Sequence, residues 1–110
     1  MGFVQIIKLT TTRLDEVEAA HERWLAETEG QRTVLRELVC RDREHPEDLY
    51  VIVEFPSYAE AMRNNDLPAT ARIAERLQEL GDDMRFFNLD LIRADGRQFV
   101  GTGAARSTTT

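Results

Sequence analysis

Cysteine occurs once, at Cys40, so the chain has no disulfide framework, and a reducing cytoplasm is the expected compartment. Cys40 itself reads as a small apolar strand residue. Long apolar runs are missing too, and nothing approaches the roughly 20 residues of a membrane helix. The first residues, MGFVQIIKLTTT, lack the basic leader and apolar stretch of a signal peptide. Positive charge is in deficit: 14 Lys and Arg stand against 20 Asp and Glu, a formal net charge of −6. Nucleic acid and anionic membranes both need a basic face, so neither is an expected partner. A glycine-rich phosphate loop, a G-x-S-x-G elbow and a Walker sequence are all absent, which argues against nucleotide-dependent and common hydrolase chemistry. The two histidines, His21 and His45, have no companion ligands at the spacing zinc or iron requires, so no metal site is expected.

What is present is one domain's worth of alternating elements in 110 residues. FVQIIKLT, from Phe3 to Thr10, is rich in β-branched and apolar residues and reads as a first strand. Thr12 is a candidate N-cap, followed by acids at Asp15 and Glu16, for a helix running to about Thr28. Gly30 stands where a left-handed C-cap is expected. Thr33 to Cys40 is a second strand, interrupted by Arg36 and Glu37. The charged turn RDREHPED then leads into a third strand, LYVIVEF, from Leu49 to Phe55. Ser57 and Glu60 have capping-box spacing and open a second helix at Tyr58. NNDLP interrupts that helix; Asp66 is a candidate cap for its continuation, Pro68 falls in the first turn, and Gly81 ends it. MRFFNLDLI, from Met84 to Ile92, is the last strand. Residues 3–93 form the domain, and 94–110 form a flexible or loosely docked tail.

The order β-α-β-β-α-β specifies a ferredoxin-like α+β fold, a four-stranded antiparallel sheet with helices on one face. Alternation assigns Phe3, Gln5, Ile7 and Leu9, then Leu49, Val51, Val53 and Phe55, then Phe87, Leu89 and Leu91 to the helix side. The opposite side carries Ile6, Tyr50, Ile52, Phe86 and Ile92, too apolar a set to face water alone. A homodimer through that sheet face is the expected remedy. Cover by the tail, through Phe99 and Val100, is the alternative.

In the first helix Leu14, Val17, His21, Trp24 and Thr28 recur at three- and four-residue steps, one stripe turned toward the sheet. An imidazole on that stripe can act as a general base, and an indole can stack on an aromatic ligand or simply fill the core. Gln5 interrupts an apolar face and needs a partner, either a ligand or His21. Arg36 has the geometry to hold a carboxylate or enolate, although pairing with Glu37 or Glu54 competes.

Trp24 with Arg32 and Thr33, FPSYAEAM from Phe55 to Met62, LPAT from Leu67 to Thr70, and FFNLD from Phe86 to Asp90 carry a resemblance. Over residues 3 to 93 the chain resembles the dimeric α/β-barrel superfamily, near the antibiotic biosynthesis monooxygenases and a set of actinobacterial proteins sharing that pattern. The resemblance implies a cavity between sheet and helices for a small, flat, hydrophobic molecule. Several such proteins oxygenate polyketide-derived phenols or degrade haem without a separate organic cofactor, using an Asn early in the first strand, a Trp and often a His. Gln5 is the nearest match to that Asn. Tyr58, Asn64 and Asn65 fall where such cavities open, and Asn64 is a candidate oxyanion donor.

The expected function is cofactor-free proton abstraction from an aromatic or polyketide-like metabolite, leading to oxygenation, cyclisation or isomerisation. His21 and Gln5 are the expected catalytic residues; Trp24, Arg36, Tyr58, Asn64 and Asn65 are expected to bind substrate. A non-catalytic binding or interaction module and a haem-binding protein, with His21 as ligand, are the alternatives.

Overall fold

The computed structural model describes residues 1–96. Seven elements follow in order: β1 (Phe3–Thr10), α1 (Leu14–Glu27), β2 (Arg36–Arg41), β3 (Asp48–Phe55), α2 (Tyr58–Asn65), α3 (Pro68–Leu80) and β4 (Asp82–Asp90). The sheet is antiparallel in the order β2-β3-β1-β4, so β1 and β3 are central and each is followed by the helical segment that crosses the sheet. This is the ferredoxin-like arrangement expected from the order of elements. The tail residues Phe99 and Val100, and most of 94–110, lie outside the described residues.

Local chemistry explains most boundaries. The Ser57 hydroxyl accepts the Glu60 N–H at 3.1 Å and opens α2. Pro68 occupies the first turn of α3, where its missing N–H leaves no helical bond unmade. Gly30 adopts φ +79°, the left-handed conformation expected after α1. Three expected caps and starts are corrected. Arg13, not Thr12, is the α1 N-cap residue, and Thr11 stabilises the turn instead: its hydroxyl accepts the Arg13 N–H at 2.9 Å and donates to Leu80 O at 2.7 Å. Leu67, not Asp66, precedes α3 without a side-chain cap. Strand β2 starts at Arg36 rather than Thr33, because Thr33 is tied to α2 through Glu60 O at 2.6 Å and Asn64 Oδ1 at 3.2 Å.

The phase of β4 is also corrected. Ile7 pairs with Phe86, Gln5 with Asn88, Ile6 with Phe87 and Val4 with Leu89. Residues directly opposite one another share a face. Phe86 and Asn88 therefore stand on the helix side, while Phe87 and Leu89 join Val4 and Ile6 on the outer side. A bulge between Lys8 and Thr10, where Asp83 takes φ 54°, places Met84 against the core around Leu9. The strand runs Asp82–Asp90 rather than to Ile92, which is 88% exposed.

The core is in two parts. Leu9, Val17, Leu49, Leu77 and Leu80 cluster at one end of the sheet. Phe3, Val53, Phe55 and Ala61 cluster at the other. On β1 the two clusters leave Gln5 and Ile7 between them, and the space over those residues is where the cavity lies.

Candidate functional site

Between α1 and the sheet lies a cavity of about 90 Å³, lined by Gln5, His21, Trp24, Glu37, Asn64, Asn65 and apolar residues including Val51 and Ile73. Five of the seven residues singled out from the sequence thus meet in one place: Gln5, His21, Trp24, Asn64 and Asn65. The other two do not. Arg36 points to the outer face, where it pairs with Glu54 at 2.8 Å. Tyr58 is largely exposed and packs edge-on against Phe3, 5.2 Å between ring centroids.

Glu37 is the residue the sequence reading missed. Its Oε1 lies 2.6 Å from Nε2 of His21, and both side chains are mostly buried. In β2 Glu37 pairs with Val53 and Val39 with Val51, so both face the helices, whereas Arg36 next door faces away. That alternation was the available signal: an acid on the inward phase of a strand needs a cationic or hydrogen-bonding partner above it.

The hydrogen bond to Glu37 raises the His21 pKa above its ordinary value. Burial opposes this, the charges of Glu37 and Glu18 add to it, and Arg32 subtracts. With neutral imidazole, Nε2–H donates to Glu37 and Nδ1 carries the lone pair. The ring is also stacked on Trp24, with centroids 5.9 Å apart and planes at 29°. The indole is itself fixed: Nε1–H donates to Thr70 Oγ1 at 3.0 Å, and the Arg32 guanidinium sits 5.8 Å from the ring centre. The indole N–H is thereby committed within the fold, and the ring face is what Trp24 has to offer a ligand.

The amides are partly committed as well. Gln5 Nε2 donates to Asn88 Oδ1 at 3.0 Å rather than pairing with His21. Asn64 is buried and its Oδ1 accepts the Thr33 N–H, which leaves its NH₂ as the group available to a ligand. His45 lies in the β2–β3 turn, 3.6 Å from Asp42 and well exposed. Among the described residues no three His, Cys, Asp or Glu side chains group as a metal site, and no helix is long and apolar enough to cross a membrane.

No family model matches the chain, and no curated protein is detectably similar to it. Solved structures are. SnoaB, a cofactor-independent oxygenase from Streptomyces nogalater, superposes with a TM-score of 0.73 at 16% identity, over 84% of this chain and 95% of that one. The chain has the ferredoxin-like fold of the antibiotic biosynthesis monooxygenase-like proteins. Rv0793 from Mycobacterium tuberculosis matches with a TM-score of 0.71 at 11% identity, over 87% of this chain and 100% of that one. A provisionally assigned antibiotic biosynthesis monooxygenase from Deinococcus radiodurans matches with a TM-score of 0.66 at 16% identity, over 88% and 99%. Identities this low speak to the fold alone.

Proposed function

We propose that this chain is a cofactor-independent small-molecule enzyme that removes a proton from a flat, enolisable aromatic or polyketide-like substrate. His21 is the base and Glu37 holds its tautomer. The substrate C–H or O–H bond breaks, the proton passes to Nδ1, and the electron pair delocalises into the ring system as an enolate. The enolate then reacts with dioxygen, closes a ring or is reprotonated elsewhere. Trp24 supplies the stacking surface beside the imidazole, and Gln5, Asn64 and Asn65 supply amide groups around the developing oxyanion.

The observation that carries this reading is the His21–Glu37 contact in the wall of a cavity. A base held by a third group is the arrangement proton-transfer sites use. The named activity of SnoaB, a protein of the same fold, agrees with it. At about 90 Å³ the cavity is well below the ~300 Å³ lower end of small-molecule sites, so substrate entry must widen it. The flank over β2 is the side to open, since Val39 is 40% exposed although it faces the helix layer. Haem is the less favoured reading: its macrocycle would need far more widening than a flat tricyclic substrate, and Nε2 of His21 is engaged by Glu37.

The same reading includes a homodimer in the cytoplasm. On the outer sheet face Val4, Ile6, Leu38, Tyr50, Ile52, Phe87 and Leu89 form one apolar surface, and the β4 phase makes it more continuous than the sequence implied. A second copy packed about a two-fold axis would cover it. The free, exposed thiol of Cys40 suits a reducing compartment.

Aerobic incubation with anthrone, a flat enolisable ketone, tests the activity. Wild type turns it over; His21→Ala loses about 10²–10⁴-fold, and Glu37→Gln, which keeps size but not charge, loses less. Equal rates for wild type and His21→Ala would remove His21 as the base.

A further inference from the structure

A second concavity lies on the other side of Trp24. Between α1 and α3, on the face turned away from the sheet, a groove of about 380 Å³ runs past Ala19, Ala20 and Ala69, with Trp24 and Ile73 also lining it. Its volume falls within the roughly 300–1,000 Å³ of small-molecule sites, which the inner cavity does not reach. Three alanines keep the two helices from filling the space between them, and the indole and Ile73 give it an apolar floor.

The rim is cationic. Arg72 and Arg76 are one turn apart on α3 and both border the groove, with Arg23 facing them from α1. Their carboxylate partners across the groove hold them loosely. Arg72 reaches Glu27 through one nitrogen at 3.2 Å; Arg76 reaches Glu16 at 3.3 Å and, along its own helix, Glu79 at 3.0 Å. Glu16 is already taken by Arg13, with two bonds of 2.7 Å each. With the flanking Arg13 and Glu79 that pair into the rim included, four arginines stand against three glutamates, a local positive excess in a chain whose net charge is −6.

We propose that this groove is a binding site for a flat aromatic carboxylate, distinct from the cavity around His21. The ring lies on the Trp24 and alanine floor. The carboxylate takes the guanidinium groups of Arg72 and Arg76, which can each present parallel N–H donors to it. The inference stands whether or not His21 is a base.

Calorimetric titration of the whole chain with 2-naphthoate, and with 2-naphthamide as its uncharged analogue, tests this. Naphthoate binds wild type and His21→Ala alike. Naphthamide binds wild type at least tenfold more weakly, and the Arg72→Gln/Arg76→Gln pair weakens naphthoate at least tenfold. Ala19→Leu, which fills the groove from an exposed position and keeps both arginines, also blocks naphthoate, so the result does not hang on one variant folding. No naphthoate binding at millimolar concentration, or binding unaffected by the arginine pair and by Ala19→Leu, overturns the site. Binding lost in His21→Ala but kept in the arginine pair places the ligand in the inner cavity and overturns it too.

Discussion

Nε2 of His21 and Oε1 of Glu37 stand 2.6 Å apart, and this contact joins the inner stripe of α1 to the edge strand β2. Because Glu37 raises the His21 pKa, protonated His21 binds its proton more tightly in the folded chain than in the unfolded one. The stabilisation is therefore complete below the unfolded value of about 6.5 and is lost as pH rises through the higher folded value. Glu37→Gln is expected to lower the His21 pKa, read by NMR titration of the imidazole protons. It should also flatten the fall in urea-unfolding stability between mildly acidic and alkaline pH. An unchanged titration would show that Glu37 does not govern His21.

The indole of Trp24 separates the cavity from the groove behind it, and Thr70 Oγ1 is its hydrogen-bond acceptor at 3.0 Å. Thr70→Val keeps the volume and leaves the indole N–H without that acceptor. A loss of about 1–3 kcal/mol in unfolding free energy is expected, the usual cost of stranding a buried donor. Thr70→Ser keeps the hydroxyl and should retain most of the stability.

Gly81 joins α3 to β4 where its backbone passes close against the end of β1. A Cβ there would meet Thr10 O at 2.5 Å and Leu9 Cδ1 at 2.9 Å. Its φ of −156° is ordinary extended backbone, so the requirement for glycine is one of space. Gly81→Ala is expected to cost about 1–3 kcal/mol, as overpacking does elsewhere, measured by chemical denaturation. A neutral substitution would mean that the α3–β1 contact gives way freely.

Ile52 lies at the middle of the outer sheet face, between Leu38 on β2 and Ile6 on β1. Sedimentation should find the wild type dimeric and Ile52→Lys monomeric, since a buried lysine without a partner is costly to a two-fold interface. A wild-type monomer would contradict face-to-face association.

The fold was legible because its signals are local. Ser57 before Glu60, Pro68 after Leu67, and the alternation of Leu49, Val51, Val53 and Phe55 each act within a few residues. The phase of β4 was not, because its two faces are almost equally apolar. The register that separates them sets Gln5 opposite Asn88, 83 positions apart, beyond the reach of any local pattern. Glu37 escaped for a related reason: beside Arg36 it looked like half of a surface charge pair. Only the β2–β3 register sends the arginine outward to Glu54 and the glutamate inward to His21. The stripe of α1 located the cavity, but the register of the edge strands decided which polar groups meet there.

Hydrogen–deuterium exchange at the methylene carbon of anthrone, followed by NMR in D₂O without dioxygen, isolates proton removal from whatever the enolate does next. Wild type is expected to exchange that position well above the buffer rate, and His21→Ala to fall back by about 10²–10⁴-fold. Exchange at the buffer rate with wild type, or at the wild-type rate with His21→Ala, would contradict a base at His21.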